Sequence, residues 1–196
     1  MRRPLLIAVA LWALGAPALA AGPLDELRRA FALGGKPIPA DVFRDFGAAD
    51  LADSLPSVVT VDVQAAIDSN RYGDPIVRNG VWVEQSRPAE GSLNGAEEIG
   101  YRFIGATRNG LLIVVAYFSG GGTGVFYSLN VLDASLAAGF DGDGKPYRRV
   151  DLTVLRSVAL GDRWQGDVSI AGDTVHIATT KTPAQGVPTA IDARRP

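Results

Sequence analysis

The chain contains no cysteine, a single histidine and no apolar run beyond its amino-terminal segment that reaches membrane-spanning length. Without cysteine there is no disulfide framework, no thiolate nucleophile and no cysteine-ligated metal, so stability must come from packing. One histidine cannot build an ordinary structural zinc site, and a zinc enzyme usually draws on two or three. The longest internal apolar run, Leu111 to Phe118, has the length of a strand rather than a span. Charge of one sign is also scarce. The formal net charge is −2, and so mild an acidic balance supplies no basic field for nucleic acid or anionic lipid. Tandem repeats, low-complexity tracts, a phosphate loop ending in Gly-Lys-Ser/Thr and a Gly-x-Ser-x-Gly nucleophile elbow are all missing.

What is present begins with an address. Arg2 and Arg3 precede an apolar stretch from Leu5 to Leu14. Gly15 and Pro17 break it, and Ala18-Leu19-Ala20 forms a small-x-small cleavage site. This is the pattern of a secretory signal peptide over residues 1–20, and it predicts a periplasmic or secreted product without a membrane anchor after cleavage at Ala21. Removing Arg2 and Arg3 from 19 basic residues leaves 17 against 21 acidic ones, a balance of −4.

Residues 21–181 are the size of one domain. Leu24, Leu27, Ala30 and Phe31 recur at helical spacing, with Asp25 and Glu26 in the first turn and Gly34-Gly35 as a stop. After the extended connector Lys36-Pro37-Ile38-Pro39, a second helix is predicted from Asp41 to about Ala52, burying Val42, Phe43, Phe46 and Leu51. Beyond Pro56 the pattern becomes β. Val59, Val61, Val63 and Ala65 alternate with polar residues, and strands are predicted at 81–85, 99–107, 111–118, 125–133, 148–158, 168–170 and 174–180. The short connections between them carry turn residues and imply antiparallel neighbours. The expected fold is α+β: two short N-terminal helices packed on a twisted antiparallel β-meander of six to eight strands. Residues 182–196, punctuated by proline and without periodicity, read as an extended or mobile C-terminal tail.

Few motifs carry chemistry. Ser119-Gly120-Gly121-Gly122-Thr123-Gly124 leads into a strand rather than a helix, so its glycines read first as residues for positive φ in a turn. Its other reading is a binding rim on which Tyr117 and Tyr127 stack on a ligand and offer hydroxyls. Asp141-Gly142-Asp143-Gly144 begins like a calcium loop. However, Lys145 stands at the third ligand position and Leu152 at the twelfth, which favours a hairpin turn. His176 falls on the outer face of its strand, and a general base would need an orienting acid such as Asp173. Asp162 and Arg163, after Leu160-Gly161, read as a turn in which Asp162 serves local N–H groups, or else as a polar recognition site.

The C-terminal half resembles a group of uncharacterised secreted or envelope proteins of bacteria. The resemblance is carried by the apolar strand Leu112 to Phe118, the turn Gly121-Gly122-Thr123-Gly124, Phe126-Tyr127, Leu160-Gly161-Asp162-Arg163 and the closing strands from Val168 to Ile177. Such proteins often continue into a Cys-Cys-Pro-Thr segment, where this chain has Gly186-Val187-Pro188-Thr189. The resemblance implies a secreted or envelope location and lends no catalytic residue.

Three functions remain open: a noncatalytic periplasmic or secreted binding or accessory module, a structural or inhibitory domain, and a hydrolase built on a carboxylate pair or on Asp173 with His176. The first is favoured because no catalytic set is recognisable. Its ligand-binding candidates are Tyr117, Tyr127, Asp162 and Arg163. No catalytic residue, metal or other cofactor is assigned, and the expected partner is an envelope protein, a glycan or a small molecule.

Overall fold

The computed structural model describes residues 22–46, 60–68, 76–78, 80–88, 95–179 and 187–195. The signal segment 1–20, the stretch 47–52 of the second predicted helix and residues 180–186 lie outside the described residues. The chain is mostly β. Among the described residues no helix is long and apolar enough to cross a membrane.

The first helix, α1 (Pro23–Ala30), buries Leu27 and ends four residues before the glycine pair, because Phe31 turns left-handed at φ 49°. Gly34 and Gly35 (φ 59° and 75°) instead form a hairpin turn between β1 (Ala32–Leu33) and β2 (Lys36–Pro37). Their N–H groups donate to the Glu26 carboxylate at 2.9 and 2.6 Å. The segment then makes a single helical turn, α2 (Val42–Asp45).

The alternation predicted through Ala65 holds only for β3 (Thr60–Asp62), after which α3 (Val63–Asp68) begins. The reason is local: Asp62 Oδ1 accepts the N–H groups of Gln64 and Ala65, both at 3.1 Å, and satisfies the open end of a helix that the valines alone would not announce.

Seven antiparallel strands then form the main sheet in the order β3-β9-β8-β7-β6-β5-β4, with β4 (Ile76–Arg78), β5 (Trp82–Pro88), β6 (Ala96–Ala106), β7 (Leu112–Ser119), β8 (Phe126–Phe140) and β9 (Pro146–Asp162). The last two outrun their predicted bounds as one long hairpin closed at Asp141–Gly144. There Asp141 Oδ1 accepts the N–H groups of Asp143 and Lys145 at 3.0 and 2.8 Å, so the acidic loop is organised as a turn.

The uninterrupted apolar character of β7 has a structural cause, since both of its faces are covered. Leu112, Val114 and Ala116 join one core with Leu27, Phe31, Phe43, Tyr101 and Leu132. Ile113 and Val115 join a second with Leu129, Val131, Val168, Val175 and Ile177. This second face is capped by a three-stranded sheet of β10 (Gly166–Ala171), β11 (Thr174–Thr179) and β12 (Ala190–Asp192).

Strand β12 lies within the segment read as a tail. Ile191 pairs with Val175 and is 3% exposed, Ala193 N–H donates to the Asp173 carbonyl at 2.9 Å, and Arg195 reaches Asp133 at 2.9 Å. Residues 187–195 are therefore docked rather than trailing. Ile191, with Ala193 and Val187 in the same core, docks the segment, and one large apolar residue is too little to show periodicity in the sequence.

Candidate functional site

The second face of the main sheet is only partly covered, and an aromatic patch occupies the end nearest the glycine-rich turn. Tyr117 on β7 and Tyr127 on β8 are cross-strand partners with ring centroids 5.6 Å apart. Trp82, opening β5, meets them edge-on at 5.4 and 6.3 Å. Trp164, just after β9, stands 6.2 Å from Tyr127. Four rings thus form one contiguous surface, in which Trp82, Tyr127 and Trp164 are half-buried and Tyr117 is buried.

The register explains the arrangement. Glu84, Gly100, Tyr117, Tyr127 and Gly161 lie in one row across five strands. A Cβ on Gly100 would sit 2.5 Å from Tyr117 Cε1. The glycine therefore makes room for the ring to lie across β6, where its hydroxyl donates to Glu84 Oε1 at 2.8 Å. Arg102, one row away on β6, places its guanidinium 5.8 Å from the Trp82 ring and 3.7 Å from Asp167, a cation held against an aromatic face. Burial, reinforced by the Glu84 carboxylate, pushes the Tyr117 phenol far above its ordinary value; burial likewise raises Tyr127. Both hydroxyls stay protonated near neutrality and serve as hydrogen-bonding groups, not bases.

Asp162 and Arg163 lie beside this patch, one register position beyond Tyr127, because Phe126 pairs with Asp162 and Tyr127 with Gly161. Asp162 Oδ1 accepts the Val125 N–H at 2.8 Å, Oδ2 receives Arg163 Nη1 at 2.7 Å, and Arg163 Nη2 donates to the Thr123 carbonyl. The backbone N–H of Arg163 also donates to the Val125 carbonyl at 2.7 Å. The pair clips the glycine-rich turn to the end of β9. Gly161 (φ 104°) and Arg163 (φ 46°) bend the chain there, immediately before Trp164. Within the glycine run, Gly121 is the residue at positive φ, 83°.

The four predicted residues are thus neighbours in space with two jobs: the tyrosines build a surface, and the Asp-Arg pair holds the turn that borders it. Trp82, Glu84, Gly100, Arg102 and Trp164 were missed. The available signal was a glycine inside a strand pattern, at Gly100, which marks close approach of another group. Elsewhere, Asp173 accepts the Asn109 N–H at 2.8 Å and Arg108 Nη2 at 3.1 Å, so its carboxylate serves the 108–109 loop, while His176 is exposed on β11. Among the described residues no three His, Asp or Glu side chains are grouped for a metal ion. No family model matches the chain, and the comparisons with curated proteins and with solved structures found no match.

Proposed function

We propose that the protein is a noncatalytic binding module of the bacterial envelope, exported to the periplasm or beyond, and that its four-ring patch holds a neutral glycan. The observation that carries this reading is the contiguous surface of Trp82, Tyr117, Tyr127 and Trp164, bordered by Glu84, Arg102 and Asp167. Ring faces stack on the CH faces of a sugar, and mixed donors and acceptors at the border suit hydroxyls, which both give and take hydrogen bonds. Export rests on the signal pattern of residues 1–20 and on the resemblance to secreted bacterial proteins. The mild acidic balance argues against nucleic acid as the partner. In this reading the N-terminal helices pack on the opposite face of a twisted β-meander, an α+β organisation that leaves the aromatic end to the ligand.

The test uses a convenience of the sequence: beyond residue 20, Trp82 and Trp164 are the only tryptophans. Titrating the protein with neutral oligosaccharides released from envelope material gives a saturable change in tryptophan fluorescence, abolished by Tyr127→Ala, and mass spectrometry recovers the sugar unchanged. A flat titration across neutral and acidic saccharides overturns the ligand assignment. A cleaved sugar overturns the noncatalytic one. Edman sequencing of exported protein starting at Ala21 supports the location, and a start at Met1 refutes it.

A further inference from the structure

Beyond Leu132, its last partner for β7, strand β8 continues from Asp133 to Phe140, and among the described residues it pairs there with β9 alone. Among the described residues no strand pairs with its other edge along this arm. Natural sheets guard such edges with charge, proline or a bulge. The β9 side of the same arm is guarded, carrying Pro146, Arg148 and Arg149 before β3 pairs at 151–153. On the β8 side, residues 134–140 read Ala-Ser-Leu-Ala-Ala-Gly-Phe, with neither charge nor proline. One face of this segment presents Leu136 and Phe140, 36% and 73% exposed, and an open groove of about 450 Å³ lies against Leu136–Ala138 and Pro146–Arg148.

We propose that this edge pairs with the same edge of a second copy of the chain, giving a two-fold dimer with one continuous antiparallel sheet and Ala137 on the axis. Two observations select that occupant and that register. The unguarded segment is symmetric about Ala137, so residues 134 and 140 pair end to end without displacing β7 from Leu132 or entering the turn at Asp141. Side-chain size is self-complementary: Leu136 falls opposite Ala138 of the second copy and Phe140 opposite Ala134, so each large group meets a small one. At the ends Asp133 falls opposite Asp141 of the other copy, and Arg195, already 2.9 Å from Asp133, offsets one of these two opposed charges. Moving the axis to Leu136 makes Phe140 compete for the edge of Leu132 that β7 occupies. Moving it to Ala138 sets Leu136 against Phe140, two large side chains in one place.

The absence of cysteine makes the test direct. Ala137→Cys introduces the only thiol, and oxidation links it across the axis as a covalent dimer, since directly opposed residues lie within disulfide reach. The two copies of Ser135→Cys are offset by four residues, roughly 13 Å at strand pitch, and stay unlinked. In sedimentation equilibrium the wild-type chain has twice its monomer mass at micromolar concentration. Ala137→Lys, which opposes two like charges on the axis, weakens association at least tenfold, while its circular dichroism and denaturant midpoint as a monomer match those of diluted wild type. A wild-type chain that stays monomeric at 100 μM overturns the proposal, whether or not another protein binds the arm. So does a dimer that survives Ala137→Lys, or one in which Ser135→Cys cross-links as readily as Ala137→Cys.

Discussion

At the scale of single residues, glycine decides how the candidate site is built. Gly100 has no role as a turn residue, yet the Tyr117 ring occupies the space its side chain would fill. Gly100→Val forces that ring off β6 and breaks its hydrogen bond to Glu84. The expected result is loss of glycan binding with a stability cost of about 1–3 kcal/mol, as for overpacking generally, read from the fluorescence titration and a denaturant curve on the same sample. Binding that survives intact would show that the position of the Tyr117 ring is immaterial. Asp162 works differently, through the backbone of the turn it clips. Asp162→Ala removes the acceptor for Val125 N–H and the partner of Arg163. Because these groups are 41% and 56% exposed, the cost is about 1 kcal/mol, and Arg163→Ala costs less. An unchanged unfolding midpoint in both variants would free the pair for a recognition role. Gly121, at φ 83°, is the glycine of the run where valine costs about 1–2 kcal/mol, measured the same way.

At the scale of elements, legibility followed the length of the pattern. The strands from Leu112 to Thr179 were readable because alternation, or a two-sided apolar run such as β7, persists over several residues between recognisable turns. Elements of three residues were not. Strand β3 looked longer than it is because Asp62 could stand in an alternating strand or at a helix start, and only the bonds to Gln64 and Ala65 separate the two. Strand β12 looked like tail because Ile191 is its one large apolar residue. The candidate site was half legible for a related reason: Tyr117 and Tyr127 flank one turn, whereas Trp82 on β5 and Trp164, just after β9, reach them from positions distant in sequence and depend on register. The docked segment makes its own prediction. Ile191→Ala leaves a cavity against Val175 and Ile177 and lowers stability by about 2–4 kcal/mol, near the range for buried aliphatic truncations, as followed by chemical denaturation. A loss below about 0.5 kcal/mol, the scale of a neutral surface change, would return residues 187–195 to the status of a tail.

At the scale of the whole molecule, the ionisable groups that tie its layers together define a pH window. Glu97 on β6 accepts Arg87 Nε at 2.9 Å and Arg44 Nη2 at 3.0 Å, joining the α2 turn to the β5–β6 edge. The Arg87 hydrogen bond, with help from Arg44, holds its carboxyl below the usual range. Asp173 is lowered first by the Asn109 N–H and then by Arg108, joining the small sheet to the β6–β7 loop. A carboxylate lowered in the folded state contributes stability that is complete above its unfolded value and is lost as pH falls through the folded one. The buried tyrosines act in the opposite direction. Burial raises Tyr101, whose hydroxyl donates to the Ile38 carbonyl at 2.8 Å, as it raises Tyr117. Their contribution is complete below the ordinary phenol value of 10.0 and declines as pH climbs from there. Between these two limits the groups named contribute no slope, so the denaturant midpoint should be level between about pH 5 and 9 and fall on both sides. Glu97→Gln should flatten the acid limb alone, and Tyr101→Phe the alkaline limb alone, relative to the plateau of each variant. A sloping midpoint between pH 6 and 8, or an acid limb that Glu97→Gln leaves unchanged, would mean that other titrations govern how the layers separate.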